Sequence, residues 1–304
     1  MAAITAANVT NAIVKLVASE ALAPLRANMV MGNLVNRNFE PMLANGGDTI
    51  NVPIPGAMTA NTMAFDAGTV TSQNPNLGNA QIVLNKHIEA TFVIPDVYKA
   101  LAFPGLLMSY MEPAIIAVAE KIEADLLGIY ASFTTNAALG TGGTLLTEAV
   151  LDNAETALFN AKTPANAEKY LVVDGGNYGA LRQITRFSEY RTAKDAGIQA
   201  LIDGNIGKLK NLFVFRSQLL AVTGAGPFTQ HCLAFSKDSM GLVIRRLPMP
   251  LPGTGAIAEY IEDSGFGLRV TMSYQPNTLA QQFTIDALYG VGVLRNAFGQ
   301  QVNA

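Results

Sequence analysis

The sequence predicts an α+β protein with two lobes and projecting segments. Helical and strand-like patterns alternate between 147 and 235, and 256–294 reads as consecutive strands, "AIAEYIE", "LRVTMSY" and "AQQFTIDALYGVGVLRN". The stretch "NAALGTGGTLL" before them has the composition of a flexible joint and marks a candidate domain boundary. A chain of 304 residues is long enough for one large or two ordinary domains.

Charge is scarce in this chain. Half of the residues are apolar and only 14% are charged, whereas about a quarter is usual. So few charges suit a dispersed monomer poorly, and we expect much of the surface to be covered by other copies of the chain. The formal net charge of -3 is too small to favour nucleic-acid or membrane binding by general electrostatics.

The sequence also disfavours secreted and membrane proteins. Cys232 is the only cysteine, so no internal disulfide can form. No basic residue precedes Lys15 and no long apolar run follows, so a signal peptide is not expected. No segment reaches the roughly 18 uninterrupted apolar residues of a membrane helix. These features predict a soluble protein made inside the cell, with no membrane partner.

The first predicted elements are a helix and a strand. Apolar side chains recur at helical spacing in 8–31, where Pro24 is expected to kink or end the helix. The chain then enters an alternating strand, "TINVPIP".

The following stretch, 49–85, contains one charged residue, Asp66, among many Gly, Asn, Thr and Pro residues. It is too polar for a core and too poor in charge for a free loop, and strand-like patterns flank it. We predict a long two-stranded arm that gains its order on a neighbouring subunit, because isolated hairpins are marginally stable. A disordered loop is the alternative. The expected contacts are apolar side chains of the arm: Ile50, Val52, Met58, Met63 and Phe65.

The stretch "PAIIAVAEKIEADLLGIYASF" predicts a helix of about 20 residues, with Pro113 at its first position. Its apolar face comprises Ile115, Ile116, Ala119, Ile122, Leu126 and Ile129. A solvated or inter-subunit charged stripe is expected on the other face: Glu120, Lys121, Glu123 and Asp125. Beyond the joint, the patterns predict a helix at 147–161, the strand "KYLVVD", a helix near "GNYGALRQI", and strands at 211–216 and 230–235.

The stretch "GNIGK", from Gly204 to Lys208, raises the question of a nucleotide site. A phosphate-binding loop needs four residues between its glycines, and Ser or Thr after the lysine. Here two residues separate the glycines and Leu209 follows Lys208. We favour a tight turn between strands, with glycine at positive φ. A phosphate-binding enzyme is the less favoured alternative.

No catalytic, cofactor or metal site is predicted, and the chain is not expected to be an enzyme. His231 and Cys232 are neighbours in a strand, so their side chains point to opposite faces and Cys232 is expected to be structural. His87 is the only other histidine, so a histidine and cysteine metal site cannot be assembled.

Basic residues within "LRQITRFSEYRTAKD" are interleaved with acidic ones. We interpret Arg182, Arg186 and Arg191 as contacts to a neighbouring copy, because arginine is enriched at protein interfaces. A nucleic-acid contact is the alternative.

Taken together, the patterns resemble tailed-bacteriophage major capsid proteins of the Hong Kong 97 fold, in their coat-protein branch. "GGDTINVPIP" resembles the entry to their extended loop, and "PAIIAVAEKIEADLLGIYASF" their spine helix. "KYLVVDGGNYGALR" and "GNIGKLKNLFVFRSQ" resemble a strand–helix pair and a hairpin of their axial domain. "GFGLRVTMSYQPNTLAQQFTIDALYGVGVLR" resembles their closing strands. The resemblance extends over essentially the whole chain.

The resemblance implies a division of the chain into five parts. These are an N-terminal arm at 1–47, an extended loop at 48–94, a peripheral domain with the spine helix at 95–143, an axial domain at 144–253, and a closing β segment shared by both domains at 254–304.

The implied function is self-assembly, through hexamers and pentamers, into the icosahedral shell that encloses the phage DNA. The protein would then reside in the virion, after assembly in the host cytoplasm, with a portal protein as partner and double-stranded DNA bound non-specifically. No lysine occurs in 49–81, so the isopeptide bond of some relatives is not expected. Only about 47 residues precede the loop, so a separate scaffolding protein is expected. An encapsulin-type compartment shell is the alternative.

Overall fold

A computed structural model gives the structure of most of the chain. It describes residues 29–41, 47–54, 56, 58–63, 65, 68–75, 77–101, 106–164, 166–184, 206–251, 253–263 and 266–304. The helix predicted at 8–31 lies almost wholly outside these residues, as do Arg186, Arg191 and Gly204.

Within the described ranges the chain forms five α-helices, three short 3-10 helices and thirteen strands. The α-helices are α1 (Met31–Leu34), α2 (Asp96–Leu101), α3 (Leu106–Leu127), α4 (Glu148–Asn160) and α5 (Gly175–Gln183). The 3-10 helices are Gly128–Ser132, Lys237–Ser239 and Asn296–Phe298. The first strands are β1 (Thr49–Ile54), β2 (Gly78–Val83), β3 (Lys86–Pro95), β4 (Lys169–Val173), β5 (Lys208–Leu209), β6 (Leu212–Arg216) and β7 (Val222–Thr223). The remaining strands are β8 (Thr229–Ser236), β9 (Met240–Arg245), β10 (Ala256–Asp263), β11 (Phe266–Gln275), β12 (Ala280–Val293) and β13 (Gly299–Asn303).

A five-stranded antiparallel sheet carries the long helix α3. Its strand order is β10-β11-β12-β3, and β9 pairs with the carboxyl-terminal half of β12. Alternate side chains of β3, including Ile88, Ala90 and Phe92, pack against the core that α3 helps to form. The other face of the sheet is polar, as expected for an antiparallel sheet with one covered face. The strands predicted within 256–294 are confirmed.

A six-stranded sheet forms the second lobe. Its order is β13-β8-β4-β6-β5, with β7 on β8. Every residue of the central strand β4 is buried, which explains the uninterrupted "KYLVV" pattern. The predicted helices at 147–161 and near "GNYGALRQI" are confirmed as α4 and α5. Asp174 caps α5 by accepting hydrogen bonds from the backbone N–H groups of Gly176 and Asn177.

The predicted start of the long helix is wrong. Helix α3 begins at Leu106, and Pro113 lies inside it. A proline in a helix interior removes one backbone hydrogen bond and crowds the preceding turn. Here Met111 and Ile115, on either side of Pro113, are both buried in the same core. Tertiary packing of one continuous apolar face therefore outweighs the local preference for a break.

The predicted charged stripe on this helix is also wrong in part. Glu120 and Lys121 are exposed, but Glu123 is only 1% exposed. Asp125 is largely covered and pairs with two lysines. Two of the four charged side chains therefore belong to the interior of the subunit.

The glycine turn differs from the prediction in its position. Gly207 has the expected positive φ of 68°, but it precedes β5. The tight turn that joins β5 to β6 consists of Lys210 and Asn211, both with positive φ. Such turns fit the twist of paired strands. Lys210 is held in this conformation by ion pairs to Glu148 at 2.9 Å and Asp152 at 2.6 Å.

Candidate assembly surface

The base of the extended loop is a hairpin of β1 and β2, as the sequence predicts. The strands pair from Thr49 opposite Val83 to Ile54 opposite Gly78. The next strand, β3, leaves the hairpin and joins the five-stranded sheet by pairing with β12. The paired arm therefore ends at Val83, about ten residues before the end of the loop assigned from the sequence.

One face of this hairpin is buried inside its own subunit. Ile50 and Val52 are 4% and 7% exposed, and they form a cluster with Ile82, Val243 and Leu294. The prediction of inter-subunit contacts at Ile50 and Val52 is thus corrected, because both side chains are already covered by β9 and the end of β12. Alternation in a strand shows that one face is covered but not which partner covers it.

Two glycines of β12 allow the hairpin to lie directly on that strand. A Cβ atom at Gly290 would lie 2.4 Å from the carbonyl oxygen of Val83, and one at Gly292 would lie 3.0 Å from that of Gln81. Both neighbours are backbone atoms of the hairpin, so no rotation of a side chain could make room. These glycines therefore allow the backbone of β2 to pack directly against β12. Neither glycine was among the residues predicted from the sequence to form the site.

The outward face of the hairpin base is polar and uncharged. The Asn51 amide oxygen accepts hydrogen bonds from Asn79 Nδ2 at 3.0 Å and from Gln81 Nε2 at 2.9 Å. These bonds join the two strands through side chains as well as through the backbone. Hydrogen-bonding groups without charge are typical of surfaces that other proteins cover.

Beyond the hairpin, the described part of the loop is an extended tip with exposed apolar side chains. The backbone N–H of Thr59 donates to Gln73 Oε1 at 3.0 Å, so the two limbs of the tip are linked. Phe65 is fully exposed. The other exposed apolar side chains of the tip are Met58, Met63, Val70 and Leu77. We name these five residues the arm tip. Such a group on a charge-poor segment is typical of an interaction site.

A second apolar surface lies around one end of the five-stranded sheet. We name it the sheet-end patch, and its exposed members are Val97, Tyr98, Tyr110, Tyr274 and Leu279. Its parts are held together by the hydrogen bond from Tyr274 Oη to Asp96 Oδ2 at 2.8 Å. The Asp96 N–H also donates to the Leu279 carbonyl oxygen at 3.0 Å. The patch is thus a fixed surface.

The predicted contact residues therefore separate into groups. Met58, Met63 and Phe65 are exposed together on the arm tip. Arg182 is exposed near the end of α5, in the other lobe. Arg186 and Arg191 lie outside the described residues.

Asp125 links α3 to the sheet, close to the base of the arm, through an ion pair and a hydrogen bond. Its carboxylate lies 2.8 Å from Lys86 Nζ and 3.3 Å from Lys121 Nζ, and it accepts a hydrogen bond of 2.7 Å from Tyr289 Oη. Burial alone would raise the pKa of Asp125, but the hydrogen bonds from Lys86 and Tyr289 and the two positive charges outweigh it and lower the pKa. The ionised carboxylate therefore stabilises the fold.

Acidification is expected to weaken this contact. With a folded pKa below the usual value of about 4, the stabilisation is present above that value and is lost as the pH falls through the folded pKa. Asp125→Asn should lower the free energy of unfolding by about 1 kcal/mol at pH 7, and its stability should depend less on pH below about 4. Urea unfolding at several pH values measures both effects. Glu120→Gln, on an exposed site of the same helix, is the control, and parallel pH curves for wild type and Asp125→Asn would contradict the prediction.

The geometry around His231 and Cys232 agrees with the predicted structural roles. His231 stacks on Tyr130 with ring centroids 4.1 Å apart, whereas Cys232 is fully buried in the core. Burial raises the pKa of the Cys232 thiol to about 12, so the thiol stays protonated. Among the described residues, no group of three or more His, Cys, Asp or Glu side chains is placed to hold a metal ion. None of the described helices is long and apolar enough to cross a membrane.

The described elements are an arm with an apolar tip, a long helix on an antiparallel sheet, and a second mixed lobe. The chain belongs to the family described as "Phage capsid protein", whose model matches residues 97–299 and so more than half of the sequence. The predicted identity as a phage major capsid protein, a structural component of the virion, is confirmed at the level of this family. The comparison with curated proteins found no match.

Solved structures confirm the predicted α+β fold of the Hong Kong 97 type. A structure from Mycobacterium phage Che8 is 17% identical, with 90% of each chain covered and a TM-score of 0.64. The capsid of a native GTA particle is 13% identical, with 92% of this chain and 89% of that chain covered and a TM-score of 0.60. The capsid of cyanophage P-SCSP1u is 16% identical, with 84% and 83% covered and a TM-score of 0.59.

Proposed function

We propose that this protein is the main building block of an icosahedral phage shell, in which hexamers and pentamers of the chain enclose double-stranded DNA. The exposed arm tip is the observation that carries this proposal. Its five apolar side chains project on a segment with a single charged residue, and they stay exposed in the isolated subunit. Burying them against another copy removes the apolar area from water.

Both apolar surfaces fit this role. We propose that the arm tip lies on a neighbouring copy and that the sheet-end patch is covered in the same assembly. Rings of subunits need contacts between two different patches, and the arm tip and the sheet-end patch are two such patches. Phe65 and Tyr98 are expected to be central contacts, because aromatic side chains carry much of the energy of protein interfaces. Arg182, Arg186 and Arg191 remain proposed contacts to a neighbouring copy.

The finer partners are also proposals. We propose a separate scaffolding protein, a portal protein and sequence-independent contact with DNA as partners, with assembly in the host cytoplasm. The role is structural and not enzymatic. The family match favours the viral shell over an encapsulin-type compartment.

The direct test is electron microscopy of the expressed chain. Negative staining, with and without a co-expressed scaffolding protein, is expected to show closed isometric shells. Only small discrete particles under both conditions would overturn the proposal. A nucleotide-binding titration addresses the phosphate alternative, and no binding at micromolar nucleotide is expected with wild type or Lys208→Ala.

A further inference from the structure

The segment 29–41, which connects the N-terminal part of the chain to the arm, is held firmly against the rest of the subunit. Met29, Met31, Leu34 and Val35 are buried in the main core. We name this segment the anchor. Its short helix α1 is packed so closely that a Cβ atom at Gly32 would lie 2.6 Å from the ring of Phe266.

The middle of the anchor is fixed at Asn36, through its backbone and its side chain. The N–H of Asn36 donates to the Met240 carbonyl oxygen at 3.1 Å, and the Leu242 N–H donates to the Asn36 carbonyl oxygen at 3.1 Å. The Asn36 side-chain amide also donates to Asp238 Oδ1 at 2.8 Å. The anchor therefore adds a short parallel bridge to β9.

The near end of the anchor is fixed by one carboxylate from the middle of α3. Glu123 Oε2 accepts hydrogen bonds from the backbone N–H groups of Val30 at 2.6 Å and Met31 at 3.2 Å. Glu123 Oε1 accepts a third bond, from Ser217 Oγ at 2.8 Å, just after β6 of the second lobe. One side chain thus joins the anchor, the long helix and the second lobe.

The chemistry of α1 explains why this carboxylate is needed. The first N–H groups of a helix have no partner within the helix. Val30 stands at the capping position, and it makes no side-chain capping bond. Glu123 supplies the missing acceptor from 93 residues away. All three groups that donate to Glu123 are neutral.

We infer that Glu123 is a positioning residue for shell assembly: it accepts the first amides of the anchor and so fixes the start of this segment against α3. This inference rests on the proposed shell function and adds a residue to it. A shell requires each subunit to present its projecting segments in one direction, because each contact repeats in every copy. Without the cap, the amides of Val30 and Met31 lose their acceptor, and the start of the anchor is free to separate from α3.

The test compares Glu123→Met with Glu120→Met in the full chain. Glu120 lies on the same helix and is exposed, so the substitution is identical while the cap stays intact. Hydrogen exchange of the unassembled subunit, followed in peptides that contain Val30 and Met31, reports the cap directly. Exchange should be about tenfold faster in Glu123→Met and unchanged in Glu120→Met. The yield of shells should fall at least tenfold in Glu123→Met alone.

Glu123→Gln is the second test variant, to be used if Glu123→Met does not fold. Its amide oxygen can still accept the two backbone N–H groups, but more weakly because it is neutral, and its amide nitrogen can only donate to the Ser217 hydroxyl, not accept from it. Exchange should be several-fold faster than in wild type, with a smaller loss of shells. Wild-type exchange rates and wild-type shell yield in the folded Glu123 variants would overturn the inference. Because exchange is measured before assembly, it remains informative even if the wild-type chain forms no shells, which is the outcome that would overturn the shell proposal itself.

Discussion

Gly290→Ala is expected to destabilise the subunit by about 3 kcal/mol and to abolish the formation of regular shells. The added Cβ atom would lie 2.4 Å from the Val83 carbonyl oxygen and 2.9 Å from its carbonyl carbon. Both atoms belong to the backbone of β2, so the clash is relieved only if the hairpin moves away from β12. That movement opens the cluster of Ile50, Val52 and Ile82 and changes the direction of the arm.

Gly78→Ala is the matched control for this change. Gly78 lies in β2 of the same hairpin, and its added Cβ atom would make an ordinary contact of 3.5 Å with the Ile54 carbonyl oxygen. Urea unfolding gives the stability of each variant, and electron microscopy with sedimentation gives the yield of shells. Gly78→Ala should resemble wild type in both. Regular shells formed by Gly290→Ala at wild-type yield would show that the close contact of β2 with β12 is not needed for the arm.

The parts of the fold that follow from local pattern could be predicted from the sequence. Periodicity and flanking turn residues predict β4, α4 and the strands β10 to β12. The pairing of β1 with β2 follows from two strand-like runs around a polar stretch. Periodicity shows that one face of a strand is covered, but it does not show which segment covers it. The sequence therefore predicts contacts of Ile50 and Val52 with a neighbouring subunit, whereas they pack within their own.

Two further features have a recognisable pattern in the sequence. Gly290 and Gly292 alternate within the apolar carboxyl-terminal half of β12, and glycine inside a strand is typical of close approach by another backbone. Glu123 lies four residues after Ala119 and three before Leu126, both on the buried face of α3. Its spacing alone therefore places it among core residues. A lone carboxylate at such a position indicates a buried acceptor, although the donors come from distant segments that spacing cannot identify.

Phe65→Asp is expected to prevent assembly while leaving the subunit intact. The Phe65 side chain is fully exposed, so its replacement should change the free energy of unfolding by no more than about 0.5 kcal/mol. At an interface, loss of a central aromatic contact costs about 2 kcal/mol or more, and a carboxylate placed there also loses its hydration. Because every copy carries the change, the cost recurs at each contact of the shell. The yield of shells should fall at least about tenfold at a concentration where wild type assembles.

Phe65→Leu is the matched control, since it keeps an apolar side chain at the same site and should retain most of the yield. Thermal unfolding of the unassembled subunit should be the same for both variants and wild type. This pattern separates the tip of the arm from its base: Gly290→Ala lowers stability and assembly together, whereas Phe65→Asp lowers assembly alone. Wild-type assembly by Phe65→Asp would show that the arm tip faces solvent in the shell. The low charge of the arm would then have to be explained without burial of the arm tip against another copy.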